Sequence, residues 1–485
     1  MTNYAAHARN FSRELAALKY IEPNICLQYN KYMKLISTYS IKIKDYNHIF
    51  KETISIYRAA VEFFINVCLL EWEFLSLIAT TKEKLSCIEY LTLSTCAHPK
   101  VKYNFNSCFY KTPCYLRRAA INEAIGKVSS YLSNLAAWEA SDPRTRGSRP
   151  SKPKTGFVFP VLYRGNMYKG DIFTGNTVQI KIFRNNTWDW LTVELKKTDI
   201  AYIRRHCKHM KMCSPTLMKR GKEWFLDFSF EEKTELTDTP IDEQIIVAVD
   251  LGINTACTCS VMAPDGTVLG RHFLKLSREY DCLKRKTDHI KRAQRHGSRS
   301  VPNLWAYARG VNKDIAVKTA RYITDIATLY DADVIVMEHL DLNGKAKGSK
   351  KQRLKLWRAK YVQEMVAHKA HHDGRRISTV NAWGTSGLAF DGSGRVLRGS
   401  ESGKTGGCYS VCEFQTGKVY NCDLNASYNI GARYFVREIL KTLPATEAQR
   451  IGAKIPGCVK RSTCTLSTLI NLNGELHPLG CMPAA

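Results

Sequence analysis

The stretch Ile245-Ile246-Val247-Ala248-Val249-Asp250-Leu251-Gly252-Ile253-Asn254 constrains the fold most. It is an apolar run that ends in a carboxylate and then a glycine. Apolar residues on both faces of a strand predict a strand buried centrally in a sheet. Asp250 then falls at the strand end, where a charge can reach a cleft, and Gly252 allows a close approach by other backbone or a ligand. The following residues, 255–273, alternate around Pro264-Asp265-Gly266, which predicts a hairpin. A buried carboxylate is costly unless positive charge offsets it.

The same device recurs. Asp333-Val334-Ile335-Val336-Met337-Glu338 is a second apolar strand ending in an acid, and Asp423 opens a helix in which Ala426, Ile430 and Ala432 can pack. Singly, such an acid is usually a cap or turn former. Three acids from separate elements of one domain make an oxygen-rich site for hard cations such as Mg²⁺. Two such ions suit phosphodiester hydrolysis. The surroundings agree: the chain has 72 Lys and Arg against 44 Asp and Glu, a net charge of +28, which points to a polyanionic partner, nucleic acid first. No apolar run reaches the ~18–20 residues that span a bilayer, so no membrane partner is expected. The 17 cysteines are scattered, which suits free thiols in a reducing cytosol.

Upstream, residues 34–43 alternate as a strand, and helical spacing fills 46–81 and 115–138. Residues 141–155 are a basic, proline-broken linker. Short strands follow, including 157–159, 178–182, 188–193 and 224–228, and they suggest a small barrel carrying Arg164 and Lys169 among aromatics. After the hairpin, residues 284–295 form a basic helix with few apolar positions, bearing Lys284, Arg285, Lys291, Arg292 and Arg295. Residues 315–329 and 357–372 are helical, 344–355 basic and flexible, and 381–422 rich in glycine and turns, without a core of its own. A last helix runs to Leu440, and the tail from Leu443 gives no pattern.

Val249-Asp250-Leu251-Gly252-Ile253-Asn254, Val334-Ile335-Val336-Met337-Glu338-His339-Leu340 and Asp423-Leu424-Asn425-Ala426-Ser427-Tyr428-Asn429-Ile430 resemble the three RuvC motifs of TnpB proteins and the related compact type V CRISPR effectors. Residues 124–131, 159–163 and 214–217 with Trp224 extend the resemblance. It implies a multidomain α+β chain: an RNase-H-like (RuvC) α/β core, a helical recognition domain and a wedge β-barrel. The implied boundaries are an N-terminal extension (1–32), first wedge strand (33–44), recognition helices (45–140), linker (141–155), wedge barrel (156–240), nuclease core (241–380), target-strand-loading insert (381–421), third-motif helix (422–442) and tail (443–485). It implies an RNA-guided DNA endonuclease in the prokaryotic cytosol or nucleoid. Its partners are a guide RNA and a double-stranded DNA target with a short flanking motif, bound by a monomer or a homodimer on one guide. Asp250, Glu338 and Asp423 would be the catalytic residues and ligands of two Mg²⁺ ions.

The family's zinc ribbon, two CxxC pairs, is not reproduced. Cys408 and Cys412 are spaced CxxxC and Cys422 stands alone. The three with His372 would be one way to hold zinc, but the missing pairs favour a zinc-free insert packed by Trp383, Phe390, Tyr409 and Phe414. His339 follows Glu338 and points to the opposite face. Other readings are a guided DNA-binding repressor with weak or no cleavage, an unguided resolvase or transposase, and an actin-like ATPase. The last lacks a second glycine-rich phosphate loop after Val336.

Overall fold

The computed structural model describes residues 31–44, 48–96, 98–144, 146–298, 300–340, 357–459 and 462–477. Most of the expected N-terminal extension, the basic stretch 344–355 and the tail beyond residue 477 lie outside the described residues. The chain forms two compact units, residues 36–232 and residues 1–35 with 233–485.

The first unit is built from β1 (Tyr32–Lys42), α1 (Lys51–Leu70), α2 (Thr81–Thr92), α3 (Cys114–Ala140), β2 (Tyr168–Lys169), β3 (Thr177–Arg184), β4 (Thr187–Glu194), α4 (Lys197–His206), β5 (Lys211–Met212), β6 (Thr216–Arg220) and β7 (Glu223–Glu235). In α1, Ile54, Tyr57, Val61, Phe64 and Cys68 are buried at alternating spacings of three and four, the stripe one helix needs to pack on another. Leu116, Ala120, Ala124 and Val128 of α3 lie in the same core. Contrary to the sequence expectation, α1 is long and apolar enough to cross a membrane, but half of that window is buried within the unit.

The strands here correct two expectations. Residues 157–159 form no strand: Phe157 is 96% exposed, and the Val158 carbonyl accepts from Arg58 Nε at 3.1 Å. Nor do the strands close a barrel among the described residues. They form two separate ladders, β1-β7-β5 with β6 on β7, and β2-β3-β4, linked by isolated bridges only: Ile43 with Leu195 on one side, and Val161 with Thr216 and Arg164 with Tyr168 on the other. The two-residue strands β2 and β5 offer too few hydrogen bonds to continue a ring. The β3–β4 hairpin turns on Asn185 and Asn186, both at positive φ, the two-residue turn that matches strand twist.

The second unit contains β8 (Ile246–Asp250), β9 (Cys257–Met262), β10 (Val268–Leu274), α5 (Ser277–Arg295), α6 (Pro302–Leu329), β11 (Val334–His339), α7 (Ala359–His372), β12 (Arg376–Asn381), β13 (Leu397–Arg398), β14 (Val411–Glu413), β15 (Val419–Asn421), α8 (Cys422–Thr442), α9 (Ala445–Lys454) and α10 (Leu466–Leu476). Its main sheet has the order β10-β9-β8-β11-β12. β8, β11 and β12 run parallel, and β9 and β10 are the expected antiparallel hairpin. Val247, Val249, Ile335 and Met337 pack into a core shared with α6 and α7. Ile246, Ala248, Val334 and Val336 pack into one shared with α8 and α10. Burial on both faces is why these strands are apolar without alternation.

Helix α8 is not the last helix. Ile451, Cys458, Leu466, Leu469 and Leu472 from the region expected to be a patternless tail share its core. Helix α8 also lies tight on the sheet: a Cβ at Gly431 would meet Met262 Sδ and stand 3.2 Å from Ala248 Cβ. The insert does have a small core, formed by Ala389, Val396, Cys412, Phe414 and Cys422 beside the β13-β14-β15 sheet. Phe390 and Phe414 pack there as expected. Trp383 and Tyr409 do not, each being 66% exposed.

Candidate active site

Strand alternation sets the site. Asp250 continues the face of Ala248, and Glu338 continues that of Val336, so both acids emerge on the α8 side at the carboxyl ends of neighbouring parallel strands. Val249 pairs with Met337, which places the two acids one step further along the same pairing. Immediately beyond, a Cβ at Gly252 would lie 2.5 Å from the Thr255 carbonyl, so the close approach that the glycine permits is by backbone. Asp423 comes from the first turn of α8. It is not the cap: Asn421 Oδ1 accepts from the backbone N–H of Asp423 at 3.0 Å and of Leu424 at 2.9 Å, leaving the Asp423 carboxylate for other work.

Asp250 retains partial contact with solvent but is ringed by protein. Burial first, then the charges of Glu338 and Asp423, push its carboxyl well above the usual carboxylate range, and Arg398 opposes them. Glu338 is also pushed up by burial, opposed by a hydrogen bond from Thr385 and by the Arg433 charge. The three sequence-predicted acids are therefore electrostatic neighbours. Among the described residues, no group of three or more His, Cys, Asp or Glu side chains converges tightly enough to hold a metal ion as it stands.

A row of polar side chains on α8 supports the acids. Asn425, Asn429, Arg433 and Arg437 recur every fourth residue and so share one helix face. Asn425 Nδ2 donates to the Leu388 carbonyl at 2.8 Å, while its Oδ1 accepts from Phe390 N at 2.8 Å. Asn429 Nδ2 donates to the carbonyls of Thr385 and Leu388, both at 2.9 Å. Arg433, 4% exposed, donates to the carbonyls of Asn381, Trp383, Ser462 and Cys464 at 2.7–3.1 Å. Arg437 reaches Thr379 O at 2.8 Å and Ser378 Oγ at 2.6 Å. Together they fix the loop carrying Thr385, whose hydroxyl bonds Glu338 Oε1. Sequence reading missed this support, although the four-residue recurrence of Asn and Arg along an otherwise apolar helix was a usable signal.

Arg398 was also missed. It sits where the insert meets the acids, its charge lowers both Asp250 and Cys412, and its buried Nη2 has no hydrogen-bond partner in the chain. Cys412 and Cys422 adjoin one another. A hydrogen bond from Cys422, helped by the Arg398 charge, brings the Cys412 thiol down; the same hydrogen bond and burial push the Cys422 thiol up, and Arg398 opposes that rise. Cys408 is exposed, apart from this buried pair, so the described cysteines of the insert do not assemble a zinc site.

The predicted basic residues divide between the units. Lys284, Arg285, Lys291, Arg292 and Arg295 are exposed on α5, which buries only Leu283, Thr287 and Ile290. Lys284 and Lys291 line a cavity of about 400 Å³ with Leu251, Ile253 and Trp357, and Lys291 pairs with Asp288 at 3.3 Å. Arg164 and Lys169 belong to the first unit. Arg164 Nη1 donates to Met212 O at 3.3 Å, and Lys169 Nζ lies 4.3 Å from the Trp190 ring centre.

A sequence model of the Aq_aa04 family matches residues 37–184. The uncharacterized protein aq_aa04 of Aquifex aeolicus (strain VF5) is 40% identical over 79 residues, 16% of this chain and 44% of that protein. This chain thus spans less than half of that relative's length. The TnpB-like protein aq_aa05 of the same organism is 27% identical over 240 residues, 44% of this chain and 76% of that protein. Among solved structures, the chain in a Cas12f1–sgRNA–target DNA complex matches with a TM-score of 0.31 and 13% identity, covering 82% of this chain and 98% of that one. The chain in an AacC2c1–sgRNA–extended non-target DNA ternary complex matches with a TM-score of 0.41 and 9% identity, covering 73% and 62%. At these scores the weight rests on the sequence matches. By sequence, the chain is a relative of a TnpB-like protein.

Proposed function

We propose that this chain is an RNA-guided, Mg²⁺-dependent DNA endonuclease. It binds a guide RNA, reads a short motif beside a complementary double-stranded DNA target and hydrolyses DNA phosphodiesters. The observation that carries the reading is the electrostatic meeting of Asp250, Glu338 and Asp423 at the carboxyl end of β8 and β11 and the start of α8. Similarity to a TnpB-like protein supports it. In this reading 241–380 and 422–442 are the RNase-H-like core, 381–421 loads the target strand, 45–140 are recognition helices, and 33–44 with 156–240 form the wedge.

The donor chemistry fits the cation: three carboxylates are hard oxygen ligands, and their mutual charge is what a divalent ion would relieve. Asp250, Glu338 and Asp423 would hold it. Two such ions held there would supply an activated water and charge stabilisation for the leaving oxygen. The chain's own groups do the rest. Thr385 orients Glu338 by donating to Oε1. The unfilled Nη2 of Arg398 offers a donor to a phosphate oxygen beside Asp250. The exposed cations of α5, together with Arg164 and Lys169, bind phosphates of the guide and target.

A guided DNA-binding repressor is the second reading. It is favoured by the open arrangement of the three acids. One experiment separates the two readings and tests the guide: purify the protein with its bound RNA, sequence that RNA, and offer a duplex library matching it, with Mg²⁺ or with chelator. Cleavage that needs both Mg²⁺ and Asp250 supports the nuclease. Binding without cleavage supports the repressor. Absence of a discrete RNA, or Asp250→Ala cutting as well as wild type, overturns the proposed function.

A further inference from the structure

Facing residues of two antiparallel strands stand on the same side of a sheet, with Cβ atoms about 4.5–5.5 Å apart. Across β8 and β9, the residue that faces Asp250 is Thr258. Its neighbours on β9 say which side that is. Cys257, Cys259 and Val261 enter the core shared with α6 and α7, whereas Ser260 is bonded to Ser427 of α8 and Met262 joins the α8 core. Thr258 therefore stands on the α8 side, where Asp250 emerges.

Thr258 is 1% exposed, and its Oγ1 has no hydrogen-bond partner among the described residues. Other buried threonines of the unit are satisfied: Thr319 and Thr324 donate to carbonyls four residues back, and Thr405 donates to Gly399 O. A buried hydroxyl without a partner is costly, so one kept opposite an acid calls for an explanation. Asp250 shows the complementary gap. Glu338, on the neighbouring strand, is held by the Thr385 hydroxyl, but Asp250 has no side-chain hydrogen bond among the described residues. Carboxylates that hold a metal ion are normally oriented by hydrogen bonds of their own.

We propose that Thr258 is a positioning residue of the cation site: when Asp250 takes up the ion, the Thr258 hydroxyl donates to its carboxylate, as Thr385 donates to Glu338. Each strand-end acid then has one threonine, from β9 on one side and from the loop held by α8 on the other. The unfilled donor weakens the metal-free protein and is satisfied in the loaded one. The proposal rests on the reading of the acids as cation ligands, but its test reads ion binding and folding and does not depend on cutting.

The purified full chain, with whatever RNA it carries, is titrated with Mn²⁺, and free ion is read by electron paramagnetic resonance. Asp250→Ala prepared the same way gives the uptake that does not involve the acids. Thr258→Val keeps the shape and removes the hydroxyl. It is expected to lower the affinity of the Asp250-dependent ion about tenfold, as loss of a ligand's supporting hydrogen bond does. In chelator the same variant is expected to melt about 2–4 °C above wild type, because the unpartnered hydroxyl is gone. Thr258→Ser keeps the hydroxyl and should hold ion affinity near wild type. A threonine that only packs would give neither the opposed signs nor the rescue by serine. Wild-type ion affinity in folded Thr258→Val, equal weakening by valine and serine, or a lower midpoint for valine in chelator overturns the role. If wild type shows no Asp250-dependent ion, the cation reading of the acids falls and the role of Thr258 with it. If that ion is present and valine leaves it unchanged, only the role of Thr258 falls. If both variants behave as expected yet guided duplex is never cut, the nuclease reading falls and the positioning role stands.

Discussion

Asn429→Ala should loosen the acidic site from behind. Asn429 is fully buried, and its side chain joins three segments: Nδ2 donates to Thr385 O and Leu388 O at 2.9 Å, and Oδ1 accepts from Leu466 N at 3.3 Å. Alanine removes all three contacts. Leu388 O keeps its bond from Asn425 Nδ2, but Thr385 O and Leu466 N lose this partner inside the protein. Each buried polar group stripped of a partner costs about 1–3 kcal/mol, so the expected loss is roughly 3 kcal/mol. For a unit of this size, that lowers the melting midpoint by about 6–12 °C. Differential scanning fluorimetry reads the midpoint, and hydrogen exchange should show faster exchange in peptides covering 383–396 and the first turn of α10. Asn429→Asp is the sharper control. It keeps the shape but turns the donor into a carboxylate facing two carbonyls, and it should be worse than alanine. A midpoint within about 1 °C of wild type for alanine, or an aspartate variant as stable as wild type, would refute the donor role and the idea that α8 holds the Thr385 loop.

Thr385→Val removes the hydroxyl that opposes the upward push on Glu338. The carboxyl then rises further, protons compete with cations to higher pH, and Mg²⁺ or Mn²⁺ affinity by calorimetry should fall about tenfold or more, most on the acid side; equal affinity at every pH would count against it. Asp250→Asn should raise the melting midpoint of metal-free protein. Because burial and like charge raise the folded-state pKa of Asp250, wild type loses stability as pH climbs above about 4, through the unfolded value towards the folded one, whereas the amide does not. The gap between the two should widen from acid to neutral pH, and saturating Mg²⁺ should narrow it by stabilising wild type alone. Gly431→Ala gains about 1 kcal/mol of helix propensity but drives a methyl into Met262 and Ala248. Overpacking costs about 1–3 kcal/mol, so denaturant titration should show no gain and up to about 2 kcal/mol of loss.

Much of the sheet was legible because doubly buried strands leave unbroken apolar runs: β8, β11 and the turn at Gly266 fall where the residues predict. The acids were legible because each interrupts or follows such a run. Thr385, Asn429 and Arg433 were harder to see. Asn429 and Arg433 donate to backbone carbonyls, which carry no side-chain identity, and Thr385 reaches Glu338 from 47 residues away in sequence. Arg398 hid for a similar reason, being one arginine in a strongly basic chain. The barrel was over-read because alternation marks a strand's faces and says nothing about how many hydrogen bonds its edges offer. The tail was under-read because Leu466, Leu469 and Leu472 become a meaningful stripe only against α8.

The position of Asp423 on α8 also has a consequence for timing. Asp250 and Glu338 leave the ribosome long before their third partner. At about 5–20 residues per second, the stretch from Asp250 to Asp423 takes on the order of ten to thirty seconds to synthesise. For about the first half of that interval the nascent chain carries one of the acids and for the rest two, on an unfinished sheet, and α10, which packs against α8, comes later still. A chain stalled by a premature stop before residue 423 has no complete acidic trio. In the proposed role, abortive translation products are thus disarmed by gene order alone, with no separate inhibitor required.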